Sequence, residues 1–241
     1  LTDPGAVVSG RGLSADGTVV ASARVTYVNQ VSPWCDYPRG PFTAGVAALW
    51  VGKQLAITEL GHVVMHGTYD RIPGAERFSA DAYEVDMPVD PAGWKYNHNV
   101  LHHSYPNVVG KDPDARFGMS RLNESVRHRW YHRVQLLEVA FNWLNMANNL
   151  NAQVTGLVDF YLHDRGDEDV LRDRALKTVA SAHWAYLRKA VPYAVKNFVL
   201  WPALAGPFFP KVLLGNLIAE GMRNVFTAVG IYCGHVGAEI S

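Results

Sequence analysis

The stretch "NHNVLHHSYPN", residues 97–107, sets His98, His102 and His103 close together in a chain that holds only 10 histidines. On a helix, side chains four apart share a face, so His98 and His102 can reach one point while His103 falls about 100° round. A single metal ion rarely explains that third ring. A second pair precedes it: "GHVVMHGTYD" (61–70) carries His62 and His66, again four apart. His235, in "CGHVG", comes from a third and distant part of the chain. Neutral imidazole suits iron, zinc and copper, and the four-residue spacing aims two rings at one ion without straining the backbone. Six histidines exceed the needs of one four-coordinate zinc. They fit two metals, or one metal and an incomplete second.

The rest of the chain says where such a cluster sits. With 241 residues, 49% of them hydrophobic, the protein has enough apolar surface for a large folded domain and is not a disordered chain. Lys+Arg and Asp+Glu balance at 22 each, so no overall field draws nucleic acid, and no nucleic-acid partner is expected. Cys35 and Cys233 lie too far apart for a thiolate metal motif or a disulfide framework. Three apolar stretches, about 41–60, 190–209 and 212–235, are long enough to span a bilayer, the last two as a hairpin about Pro210-Lys211. Lys53, Lys196, Glu220 and Arg223 interrupt them, and such residues within a span face protein or a water-filled cavity rather than lipid.

Most of the 22 basic residues fall between Arg71 and Lys189, and Arg71, Arg188 and Lys189 flank the spans. That asymmetry puts the middle segment on the cytoplasmic side. The expected fold is therefore all-α: transmembrane helices, with a cytoplasmic helical cap over about 61–189 carrying the histidines. His62, His66 and His235 all come to one membrane face.

Residues 1–40 read as a separate loop-rich segment in which "TVVASARVTYV" can pair as strand, and residues 41–241 as the membrane domain. A helical pattern from Tyr131 to about Leu162 carries Asn142, Asn145, Asn148, Asn149 and Asn151. It is too polar for a lipid-facing span and suits an interfacial or buried helix. Residues 163–178 read as a charged, solvated linker. His128 and His132 sit among Arg and Trp and belong to an interfacial belt, whereas His163 and His183 stand alone.

Several chemistries drop out. The zinc-protease motif H-E-x-x-H, the hydrolase motif G-x-S-x-G and phosphate-binding glycine loops are absent from the sequence. A carboxylate-bridged di-iron bundle needs two Glu-x-x-His motifs, and Glu59 with His62 is the single copy.

The histidine motifs resemble those of the membrane fatty acid desaturase family. "GHVVMHGTYD" resembles its first histidine box, "WKYNHNVLHHSYPNVVGKDPD" (94–114) its second, and "NVFTAVGIYCGH" its last membrane helix. The resemblance implies a membrane protein holding two irons with histidines, which uses dioxygen and two electrons to introduce a double bond into an acyl chain. Its substrate would be an acyl-CoA, an acyl-lipid or a carrier-bound acyl group. It carries His62, His66, His98, His102, His103 and His235 over as iron ligands, and Asp70, Asn107, Asp112 and Asp114 as residues that orient the imidazoles from behind. Membrane lipid and an electron donor such as a ferredoxin or cytochrome b5 are the implied partners, since no His-Pro-Gly-Gly motif is present.

The sequence also departs from that family. A third box, H-x-x-H-H or Q-x-x-H-H, does not occur before Ser241, and "CGHVG" stands where "CGHFPDG" is commoner. These departures lead us to expect a truncated or divergent member, with a histidine triplet beyond Ser241 and fewer than two irons per chain without it. A related di-iron lipid hydroxylase shares the ligand set, and a non-catalytic membrane fragment is the reading from another class.

Overall fold

The structure is a computed structural model that describes residues 7–13, 19–26, 39–108, 111–115, 120–121, 124, 128–162 and 176–235. In the strands and at 39–41, 115, 159, 162, 176–177 and 235 the backbone alone is described. The chain divides into two units, Leu1–Pro38 and Arg39–Ser241.

The first unit holds an antiparallel hairpin of β1 (Val7–Leu13) and β2 (Val19–Thr26), with Val7 opposite Thr26 and a register irregularity at Gly12/Leu13. The alternating run pairs as strand from Val19 to Thr26.

Among the described residues the second unit is all-helical. Helix α1 (Arg39–Gln54) runs without a break through a π turn, Leu55–Gly61, into α2 (His62–Met65). Helix α3 (Pro91–Lys95) starts on Asp90, whose carboxylate accepts the Gly93 N–H at 2.9 Å, with Pro91 in the first turn where its missing N–H is no loss. It passes directly into a second π turn, Tyr96–His102.

The pattern from Tyr131 to Leu162 breaks into α4 (Gln135–Leu144), α5 (Met146–Val154) and α6 (Leu157–Leu162). Gly156, at φ +81, marks one break. Helix α7 (Leu176–Val195) continues through a third π turn, Lys196–Leu200, into α8 (Trp201–Leu204), and α9 (Phe209–His235) returns. The charged linker expected over 163–178 lies mostly outside the described residues.

The reversal before α9 comes earlier than expected. It falls at Gly206–Phe208, where Gly206 takes φ +56, and Pro210 and Lys211 lie in the first turn of α9. Proline fits a first helical turn because its position needs no amide hydrogen.

Polar and apolar groups are distributed inside out across α1, α7 and α9. Lys53 Nζ donates to Tyr193 Oη and Asn197 Oδ1, each at 2.9 Å, and pairs with Glu220 at 3.1 Å. Glu220 also accepts from the Tyr193 hydroxyl at 2.7 Å and pairs with Arg223, which is 1% exposed. The charges that interrupt the apolar stretches thus meet one another inside the bundle. Lys196 is different: it pairs with Asp86 and stays partly exposed.

Large apolar side chains meanwhile face outward, among them Val195, Leu204, Leu214, Leu217, Phe226 and Val229. Among the described residues no helix is long and apolar enough to cross a membrane. Helix α1 has 16 residues, α7 carries Lys177, Arg188 and Lys189, and α9 carries Lys211, Glu220 and Arg223. A smaller apolar core of Ile57, Met65, Met87, Val89, Trp94, Met146, Leu150 and Val154 draws on the first π turn, the end of α2, α3 and α5.

Candidate metal centre

His62 opens α2 and His66 caps its end, one turn on, so both rings leave the same helix face. The second π turn carries His98 and His102. A π turn closes hydrogen bonds five residues back rather than four, so positions four and five apart come close to one face. That is why His103, which an α-helix would point away, has its ring centroid 4.9 Å from His98 and 5.0 Å from His66. Asn99 Nδ2 donates to the Met65 carbonyl at 3.0 Å, tying the second helix to the end of the first.

The ring nitrogens converge. His62 Nε2 lies 2.8 Å from His66 Nε2 and 3.1 Å from His98 Nε2. Two nitrogens bound at ordinary metal–imidazole lengths are separated by about 2.9–3.4 Å at octahedral to tetrahedral angles. The observed spacing therefore fits a donor set around an ion, and imidazole is a ligand iron accepts. Groups that could bind a metal gather in two sets, His62/His66/His98 and His98/His102/Asp114. His103 touches rings of both sets without belonging to either.

Burial, and then the neighbouring imidazoles, push His62 down to about 4. The same two causes lower His66 and His103. Neutral rings keep their lone pairs available near neutral pH.

Asp112 stands behind His102, while Asp114 lies beside His98 and is itself one of the groups that could bind metal in the second set. Asp112, fully buried, lies 3.0 Å (Oδ2) and 3.1 Å (Oδ1) from His102 Nδ1, and accepts backbone N–H groups of Asn107 at 2.7 Å and Asp114 at 2.8 Å. Asp114 Oδ2 is 3.6 Å from His98 Nδ1, on the ring edge opposite the nitrogen that meets His62. A carboxylate on Nδ1 holds the proton there and frees Nε2 to bind. Asn107 contributes its backbone from φ +62, a left-handed conformation asparagine tolerates.

Asp70 lies in the loop after the first pair. Its carboxylate accepts the Ala80 N–H at 2.8 Å and closes over Gly67, at φ +73, where an added Cβ would meet it at 2.8 Å. It ties a loop beside the first pair and, among the described residues, hydrogen-bonds to no imidazole. His235 ends α9, and its side chain lies outside the described residues. His132 Nδ1 accepts the Arg129 N–H at 2.9 Å at the start of a helical turn, and His183 bonds Val179 and Tyr161.

Sequence reasoning missed Trp94. Its indole, 8% exposed, stacks on His98 with centroids 4.4 Å apart at 25°, and its edges meet His62 and His66 at 5.6 and 5.7 Å. Its position four residues before His98 was the available signal.

Comparison with known proteins bears on what this arrangement does. Residues 39–240 match the family described as fatty acid desaturase. Over 206 residues the chain is 30% identical to an NADPH-dependent stearoyl-CoA 9-desaturase of Mycobacterium tuberculosis, covering 81% of this chain and 45% of that protein. An sn-1 linoleoyl-lipid 6-desaturase of Arthrospira platensis is 31% identical over 111 residues, covering 44% and 30% of the two chains. An acyl-lipid omega-13 desaturase of Chlamydomonas reinhardtii is 25% identical over 150 residues, covering 59% and 31%. The chain spans less than half the length of these relatives. No solved structure matches it.

Proposed function

Because the chain belongs to the fatty acid desaturase family, we propose that it acts in introducing a double bond into an acyl chain, at iron held by the converging histidines. The observation that carries this reading is the convergence of His62, His66 and His98 at 2.8–3.1 Å from two separate helices. The substrate is an acyl-CoA, acyl-lipid or carrier-bound acyl chain, the first two being the classes in the relatives' names.

His62, His66, His98, His102, His103 and His235 hold the metal, two irons in the complete set. Asp112 keeps the Nδ1 proton of His102 in place, so that its opposite nitrogen stays turned inward, and Asp114 adds negative charge beside His98. Trp94 forms an apolar wall on one face of His98 and limits water there. Bound iron supplies, with dioxygen, the oxidising power to take hydrogen from an unactivated methylene, whose proton no side-chain base can remove. Overall, adjacent carbons lose two hydrogens, a donor supplies two electrons, solvent supplies two protons, and one dioxygen becomes two waters. A ferredoxin or cytochrome b5 fits the donor role.

We place the spans at about 41–60, 190–209 and 212–235, with the cap at 61–189 on the cytoplasmic side. The outward apolar side chains of α7–α9 and the inward pairing of Lys53, Glu220 and Arg223 support this, since charges within a bilayer are turned toward protein.

Mass spectrometry of lipids from cells expressing the protein tests the activity. New unsaturation that disappears in His102→Ala is expected. Hydroxylated chains would assign the sister reaction, and an unchanged lipid profile would overturn the enzymatic reading.

A further inference from the structure

Helix α5 is polar where a buried helix is normally apolar, and the reading of the metal centre leaves its amides unused. Asn151 is fully buried and Gln153 is 8% exposed. Two residues apart, they leave the helix about 200° from each other, on nearly opposite sides.

On one side, Asn151 Oδ1 accepts the Asp90 N–H at 3.0 Å and Nδ2 donates to the Tyr186 carbonyl at 3.1 Å. Asp90 is the cap from which α3 and the His98/His102 turn begin, and it pairs with Arg188. On the other side, Gln153 Nε2 donates to the Pro113 carbonyl at 2.6 Å. Pro113 lies between Asp112 and Asp114, the two carboxylates beside His102 and His98. One helix therefore grips both the start of the ligand-bearing segment and the loop that carries the carboxylates.

We infer that Asn151 and Gln153 are positioning residues for the metal centre: Asn151 acts through Asp90 on where the imidazoles of His98 and His102 sit, and Gln153 acts through Pro113 on where their carboxylate partners sit. This inference rests on the histidine cluster binding metal. Neither amide touches an imidazole, so their effect passes through the segments they hold, α3 and the Asp112–Asp114 turn, and it falls on metal geometry as well as on stability.

Tag-free protein titrated with Co²⁺, followed by its visible absorption bands, tests this. Gln153→Met keeps the side-chain shape and loses the donor, and Asn151→Leu removes both bonds. Each is expected to weaken Co²⁺ binding about tenfold, the lower end of the effect of groups behind metal ligands, and to shift the absorption bands. Asn224→Leu is the comparison. Asn224 braces the opposite end of α5, accepting the Ala147 N–H at 3.2 Å and donating to Leu144 at 2.8 Å. It should lower the melting temperature and leave Co²⁺ affinity and bands unchanged.

A Gln153→Met protein with wild-type affinity and bands would overturn the inference alone. So would an Asn224→Leu protein with equal losses, which would make the effect general loosening. A wild-type protein that binds no Co²⁺ would overturn the metal reading itself.

Discussion

Gly93 lies in α3, five residues before His98, and α3 meets α5 there backbone to backbone. A Cβ added at Gly93 would stand 2.3 Å from the Val154 carbonyl oxygen and 3.0 Å from its carbon, where ordinary contact begins near 3.4 Å. The Gly93→Ala protein must therefore open the α3–α5 contact by about 1 Å, because a backbone oxygen cannot swing aside as a side chain can. Overpacking of this kind costs about 1–3 kcal/mol, the upper part of the range applying here. Alanine recovers about 1 kcal/mol of helix propensity. The net loss is about 1–2 kcal/mol, which lowers the melting temperature of a chain of this size by about 2–8 °C. Metal affinity should fall as well, since the displaced helix carries His98 and His102. Gly52→Ala, in α1 with nothing within 4 Å of the added carbon, serves as the control and should melt at or slightly above the wild type. Thermal unfolding of the three proteins in one detergent decides the matter. A Gly93→Ala protein as stable as Gly52→Ala would mean that α3 and α5 do not touch, and the bracing argument would fall with it.

Asp112→Asn, which removes the carboxylate behind His102, should weaken metal binding about 10–100-fold; unchanged affinity in a metal titration would contradict the role given to Asp112. Burial and like neighbours hold His62 at about 4 against an ordinary 6.5, so between those values the unfolded chain binds more protons than the folded one. The metal-free protein should keep this stability above about pH 6.5 and lose it progressively toward pH 4, with a shallower slope in His62→Gln; a flat unfolding midpoint across that window would refute the burial of the ring. Glu220→Gln leaves Lys53 and Arg223 buried without their carboxylate and should cost about 3–5 kcal/mol. The combined Lys53→Met, Glu220→Gln, Arg223→Met protein should lose far less in denaturant unfolding, and equal losses would deny that the three form one network.

The two histidine pairs were legible because four-residue spacing survives any regular helical geometry. The place of His103 was not, since α and π turns differ by one hydrogen-bond step and residue identity alone does not distinguish them. That Lys53, Glu220 and Arg223 must face protein followed from the cost of charge in an apolar span. That they face one another needed the packing of α1 against α9, a pairing across 167 residues. Asp112 and Asp70 looked equivalent in sequence, each an acidic residue shortly after a histidine pair. The turn at positive-φ Asn107 folds Asp112 back onto His102, whereas Gly67 turns Asp70 toward Ala80. The reversal before α9 was misplaced because Pro210 reads as a turn residue, yet it fits equally well in the first turn of a helix. The asparagines of α5 were visible, and the partners of Asn151, the Asp90 N–H and the Tyr186 carbonyl, belong to tertiary structure.

The central claim is that imidazoles from the α2 pair and from the second π turn share bound iron. X-ray absorption at the iron edge of the iron-loaded protein tests it most directly. The account predicts a first shell dominated by nitrogen with the outer-shell scattering of several imidazoles, reduced in both His62→Ala and His98→Ala. A shell of oxygen alone, or iron that washes away from the wild-type protein, would contradict it.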